Sequence, residues 1–185
     1  MQALCYQLNL ILDGSNPPTT ANKPIIIVNE NVMKKFKTLH GTPIPDVVEY
    51  IREYISTREN VEILIGSDSQ SYSNRKTIYG VVIALYTKGK GAHVLCTRET
   101  LPMEYNTASR LLGEVWKSLE IAEFLKDNSL PKPTWIDIDL NPDPKYKSNS
   151  VLRQAVGMVE GMGYKVRYKH VGAMMTYAAN HLVRL

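Results

Sequence analysis

Three aliphatic residues in succession, Ile63-Leu64-Ile65, followed at once by Gly66-Ser67-Asp68-Ser69-Gln70, constrain this chain more than any other stretch. A short apolar run bounded by polar residues reads as a buried strand. Gly66 removes a side chain as the run ends, and Asp68 then arrives between two small hydroxyl residues. A carboxylate there projects from the rim of a sheet toward solvent, where a divalent cation can meet it. The same four residues, Gly-Ser-Asp-Ser, also suit a plain turn. Downstream acids weigh toward the first reading: Glu114 within a helical pattern, and Asp137-Ile138-Asp139 in a second strand-like run. A strand acid, a helix acid and a strand acid, in that order, can converge on a two-metal phosphoryl-transfer site.

The surrounding chain supplies the elements. Pro24 to Val28 has the look of an edge strand, and Tyr6 to Leu12 of a strand or short helix. Val47, Val48, Ile51, Tyr54 and Ile55 recur at helical spacing after Asp46, an acid where the helix dipole favours one. Thr77 to Tyr86 and His93 to Glu99 read as two strands, joined by Thr87-Lys88-Gly89-Lys90-Gly91 in a hairpin. Asn106 can cap a helix from Ala108 to about Asp127, with Leu111, Leu112, Val115, Leu119, Ala122 and Phe124 on its apolar side. Glu114 borders that side and can point over the sheet rim; a solvated surface glutamate is the plainer alternative.

In the strand Thr134 to Leu140, Asp137 and Asp139 fall on one face and Ile136, Ile138 and Leu140 on the other. Two acids on one strand face are costly to bury without a cation or a base. Ser148 or Asn149 can cap the next helix, where Gly157 suggests close packing and Gly161 and Gly163 its end. Tyr164 to Lys169 is the last strand and Ala173 to Leu185 the last helix. Lys88 and Lys90 in the hairpin, and Lys145 and Lys147 beside the capped helix start, are candidate phosphate contacts; taken singly, each also suits a solvated turn.

Several function classes are excluded. No Walker lysine motif, HExxH or GxSxG elbow occurs, and the four histidines lack zinc spacing. No apolar run approaches the roughly 20 residues of a membrane span. The first residues lack the pattern of a secretory signal, and Cys5 and Cys96 are isolated thiols, so a reducing cytoplasm is expected. The net charge of +4 is compatible with a polyanionic partner.

Four stretches go further. IGSDSQ, RLLGEVWKSLEIAEFL, DIDLNPDPKYKSN and GMVEGMGYKVRYK resemble the uncharacterised RNase H-like family of bacteria and phages typified by YkuK. The resemblance covers residues 36–185 and leaves 1–35 as an N-terminal extension with room for edge strands. It implies an α/β ribonuclease H-like fold: a mixed five-stranded sheet, three antiparallel strands then two more in the order 3-2-1-4-5, flanked by helices. By position, Asp68, Glu114 and Asp139 take the catalytic and metal-binding acids, with Asp137 a further candidate ligand. Asn180 falls where the family pattern has an aspartate, and enters as a fourth metal position with an oxygen but no charge. His170 stands in place of an expected proline.

The first expectation is therefore a Mg²⁺- or Mn²⁺-dependent nuclease acting on RNA, an RNA–DNA hybrid or structured DNA. Asn180 motivates the second, a nucleic-acid-binding or interaction module with a weakened or inactive site. A structural role in a larger assembly is the third.

Overall fold

A computed structural model describes residues 35–169 and 175–184. The expected N-terminal strands and His170 lie outside these residues. The described chain forms one seven-stranded mixed sheet and four helices. The elements run β1 Phe36–Thr38, β2 Pro43–Ile44, α1 Val47–Ser56, β3 Val61–Tyr72, β4 Lys76–Thr87 and β5 Gly91–Pro102. They continue as α2 Thr107–Asp127, β6 Trp135–Ile138, α3 Asn149–Gly161, β7 Val166–Tyr168 and α4 Met175–Arg184.

The sheet order is β2-β1-β5-β4-β3-β6-β7. Its last five strands repeat the expected order: β3, β4 and β5 form an antiparallel meander, and β6 and β7 add in parallel beyond β3. The correction is at the other edge. Two short strands, β1 and β2, extend the sheet from five to seven by antiparallel pairing outside β5. Runs of three and two residues carry no readable period. Burial of Phe36 and Ile44 in the core fixes them instead.

The triplet Ile63-Leu64-Ile65 is buried on both faces of the central strand. Ile63 and Ile65 point into the larger core, shared with α1, α2 and α3. Leu64 points the other way, into a smaller core with Val82, Ala84, Met175, Ala179 and Leu182 under α4. Successive residues of a strand alternate in this way, so a run without polar gaps requires a layer on each side.

Local chemistry sets the helix starts. The Asp46 carboxylate accepts the Glu49 N–H at 3.0 Å and caps α1. The Asn106 carbonyl accepts from Ala108 and Ser109 N–H at 2.8 and 3.1 Å and caps α2. Ser148 makes no capping bond; its hydroxyl accepts the Asn141 N–H at 3.2 Å. The expected close packing at Gly157 is also corrected, because a methyl group there would meet nothing within 4 Å.

Close packing occurs under α4 instead. A Cβ on Gly66 would lie 2.6 Å from the Cβ of Met175, and one on Gly80 would lie 2.8 Å from Cγ1 of Val183. These two glycines let the last helix settle directly on β3 and β4. Gly80 is also the residue paired with Asp68 across the ladder. The sheet thus brings α4, with Asn180, over the strand that carries Asp68.

Candidate active site

Ser67 and Ser69 face α2 from β3. The Ser67 hydroxyl bonds the Glu114 carbonyl at 2.5 Å and the Ser118 hydroxyl at 2.8 Å. The Ser69 hydroxyl donates to Glu114 Oε1 at 2.6 Å. Two small hydroxyl residues therefore fasten the helix to the strand and hold the glutamate next to the Asp68 position. Arg110, one turn before Glu114, donates to Ser69 Oγ at 2.5 Å, to the Ser69 carbonyl at 2.9 Å and to Glu114 Oε1 at 3.2 Å.

Glu114 is only 4% exposed, so it is not a surface glutamate. Burial pushes its pKa up to about 8; the Ser69 hydrogen bond and Arg110 oppose this, while Asp68 and Asp139 add to it. Burial of this kind favours the neutral form of the acid, and a cation bound beside it would favour the charged form. Because the folded value lies above the unfolded one, its stabilising share is complete below the ordinary carboxylate range and is lost as pH rises through 8.

Asp68 is half-buried, and its Oδ1 accepts the Ser69 N–H at 2.8 Å. Burial raises its pKa, the Ser69 N–H lowers it, Asp139 raises it, and Arg110 and Arg184 lower it. Asp68, Glu114 and Asp139 thus act on one another electrostatically, although they come from β3, α2 and the end of β6.

Each acid also has a basic neighbour. Asp139 is 30% exposed and pairs with Lys169 Nζ at 3.0 Å. That hydrogen bond is the main cause raising the Lys169 pKa. Asn180 Oδ1 accepts Arg184 Nε at 2.8 Å. Among the described residues, no three His, Cys, Asp or Glu side chains form a ready-made cluster for a metal ion. Arg110 and Lys169 bind oxygens of Glu114 and Asp139 that such a cluster would use. By donor chemistry the three carboxylates suit a hard divalent cation, since they offer only oxygen and carry charge that resists ionisation together.

Asp137 requires a correction. Its side chain is fully buried, with Oδ1 bound by Arg167 Nε at 2.7 Å and Oδ2 by Arg167 Nη2 at 3.0 Å. The same Oδ2 accepts the Met175 N–H, at the first residue of α4, at 2.9 Å. A carboxylate so occupied positions the last helix and is not free to ligate an ion.

The four candidate phosphate contacts divide. Lys145 and Lys147 are exposed on the loop after Asp139, with Lys145 paired to Asp143 at 2.8 Å. Lys88 and Lys90 lie in the hairpin beyond Thr87, which pairs with Val61, whereas Asp68 pairs with Gly80. Seven strand residues separate those registers, or about 23 Å. The structure does not bring the hairpin lysines to the carboxylates.

The family model of Ribonuclease H-like proteins matches residues 46–184. The chain belongs to the Ribonuclease H-like family. The match starts at the cap of α1, after the two added edge strands. Among solved structures, two forms of Prototype Foamy Virus protease-reverse transcriptase are similar. The selenomethionine-labelled CSH mutant is 15% identical, with a TM-score of 0.37, over 78% of this chain and 23% of that one. The native form is 14% identical, with a TM-score of 0.38, over 78% and 24%. This Ribonuclease H-like chain therefore spans about a quarter of the viral chains' length. No curated protein matches it. Among the described residues no helix is long and apolar enough to cross a membrane.

Sequence reasoning missed Ser69, Arg110, Lys169 and Arg184. Two signals were present: Arg110 and Glu114, and likewise Asn180 and Arg184, are four residues apart, a spacing that makes neighbours on a helix. The Ser69–Glu114 and Lys169–Asp139 contacts join distant elements and could not be counted out along the chain.

Proposed function

We propose that this chain is a Mg²⁺- or Mn²⁺-dependent nuclease that hydrolyses phosphodiester bonds in RNA, an RNA–DNA hybrid or structured DNA. Asp68, Glu114 and Asp139 would hold the cations, within a catalytic unit spanning 36–185. The carrying observation is that Glu114, 4% exposed, is held by the Ser69 hydroxyl directly beside Asp68 on β3, while Asp139 lies at the end of the neighbouring strand β6. Membership of the Ribonuclease H-like family supports the same assignment.

Bound cations would activate a water and stabilise the leaving oxygen. The chain's own residues then have separate tasks. Ser69 and Arg110 orient Glu114. Lys169 balances the charge of Asp139 and would offer its ammonium to a phosphate oxygen bound beside that acid. Asn180 offers a carbonyl oxygen without a charge. Lys145 and Lys147 would bind the nucleic-acid backbone, making affinity fall with salt. Lys88 and Lys90 would reach only a substrate long enough to run the length of the meander.

One observation favours a second function, nucleic-acid binding without turnover: Asn180 is engaged by Arg184 and brings no negative charge. End-labelled RNA, DNA and hybrid substrates, incubated with Mg²⁺, Mn²⁺ or EDTA, separate the two. Cleavage of at least one substrate with either cation and none in EDTA is the expected result. Retained binding with no cleavage of any substrate would establish the second function instead.

A further inference from the structure

Exposed aromatic rings lie on the two segments joined to the end of β6, the strand that leads into Asp139. Tyr146 is 48% exposed and Tyr177 is 69% exposed. They come from different elements, and both elements are tied to the end of β6: the start of α4 by the Met175 N–H on Asp137, and the loop after Asp139 by the Asn141 N–H on the Ser148 hydroxyl. Lys169 is bound to Asp139. Lys145 adds a second ammonium, 5.1 Å from the centre of the Tyr146 ring.

On α4, the residues three, four and seven positions after Tyr177 are Asn180, His181 and Arg184, and such positions share one side of a helix. Asn180 is half-buried, and His181 and Arg184 are exposed. The outer stripe of α4 thus presents a phenol, an amide, an imidazole and a guanidinium in sequence. It ends at Arg184, which donates to the Asn180 side-chain carbonyl oxygen at 2.8 Å.

Aromatic faces interleaved with cations are suited to nucleic acid whose bases are unpaired. Each free base offers a face that stacks on an aromatic side chain, while the cations follow the phosphates. A duplex keeps its base faces stacked on one another and presents mainly backbone to a protein. An exposed ring on these segments therefore gains from a single strand what it cannot gain from the middle of a duplex.

The geometry points to Tyr146 and Tyr177 as a stacking platform for unpaired bases, so that single-stranded nucleic acid is the preferred substrate class of this site. The inference rests on the nuclease assignment for its location and narrows that assignment's substrate. Its test rests on binding alone.

The test uses the full chain in EDTA, with fluorescein-labelled oligonucleotides of one sequence offered as single-stranded RNA, single-stranded DNA, duplex DNA and hybrid. Fluorescence anisotropy should give at least about tenfold tighter binding to the single strands. Tyr146→Ala and Tyr177→Ala should each weaken single-strand binding about tenfold and leave duplex binding unchanged. The corresponding Phe variants should bind as the wild type, because stacking needs the ring and not the hydroxyl. Tyr177→Trp gives an independent readout: its indole emission should be quenched by a single strand and not by a duplex.

Equal affinity for single strand and duplex would overturn the inference, as would wild-type binding by both Ala variants or equal losses in the Ala and Phe variants. Single-strand preference in a protein that cuts nothing would overturn the nuclease assignment and leave the platform standing. Cleavage of duplexes together with indifference to both Ala variants would do the reverse.

Discussion

Asp137→Ala is expected to destabilise the protein by about 3–5 kcal/mol, the range for removing one partner of a buried ion pair. The variant leaves Arg167, whose side chain is 15% exposed, without its bidentate carboxylate. It also strips the acceptor from the Met175 N–H at the start of α4. For a chain of 185 residues this corresponds to a fall in Tm on the order of 10 °C. Urea denaturation of wild type, Asp137→Ala, Arg167→Met and the double variant measures the effect. The double variant should lose less than the two single losses combined, because it leaves no uncompensated charge. A loss below about 1 kcal/mol in Asp137→Ala would show that the pair does not anchor the helix.

Two residues along the strand, Asp139→Asn should behave in the opposite way. Its partner Lys169 is 40% exposed and Asp139 itself 30% exposed, so loss of the pair should change stability by at most about 1 kcal/mol. Cleavage, in contrast, should fall by at least about a thousandfold, equivalent to roughly 4 kcal/mol of lost transition-state stabilisation. Initial rates at saturating Mn²⁺, set beside urea midpoints for the same preparations, separate the two effects. An active Asp139→Asn protein would remove this residue from the catalytic set.

The contrast between these neighbours explains what the sequence could and could not reveal. Strict alternation correctly marked Asp137 and Asp139 as a pair that needs a cation or a base. It could not say which would be supplied. The answer lies in the parallel register of β6 and β7, where Asp137 is paired with Arg167. Two residues on, Asp139 meets Lys169. Asp-x-Asp therefore faces Arg-x-Lys, one pair closed in the core and the other open at the rim. Each pair is thirty positions apart in sequence, with a helix between its members, so nothing in local spacing reports that register.

The larger architecture was more legible because its signals are local. Capping by Asp46 and Asn106 and the apolar periods of α1 and α2 set the helix starts, and the hairpin glycines set the turn between β4 and β5. The order of the five strands was not among those local signals; it came with the family resemblance and agrees with the sheet. The two added edge strands rest on burial of Phe36 and Ile44, a tertiary effect with no periodic trace. Glu114 was legible as a borderline position on its helix. Its burial depends on Ser67 and Ser69 in a distant strand, joined to it by hydrogen bonds that no spacing rule predicts.

The most direct test of the carboxylate site is thermal unfolding as a function of Mn²⁺ concentration, for the wild type and Asp68→Asn side by side. A cation that binds only the folded protein should raise wild-type stability by about 2.7 kcal/mol at a hundredfold excess over its Kd. Asp68→Asn should show a much smaller rise at every concentration, because one of three charged ligands is gone. A flat wild-type curve up to millimolar Mn²⁺, or identical rises in both proteins, would contradict a cation site built on Asp68, Glu114 and Asp139.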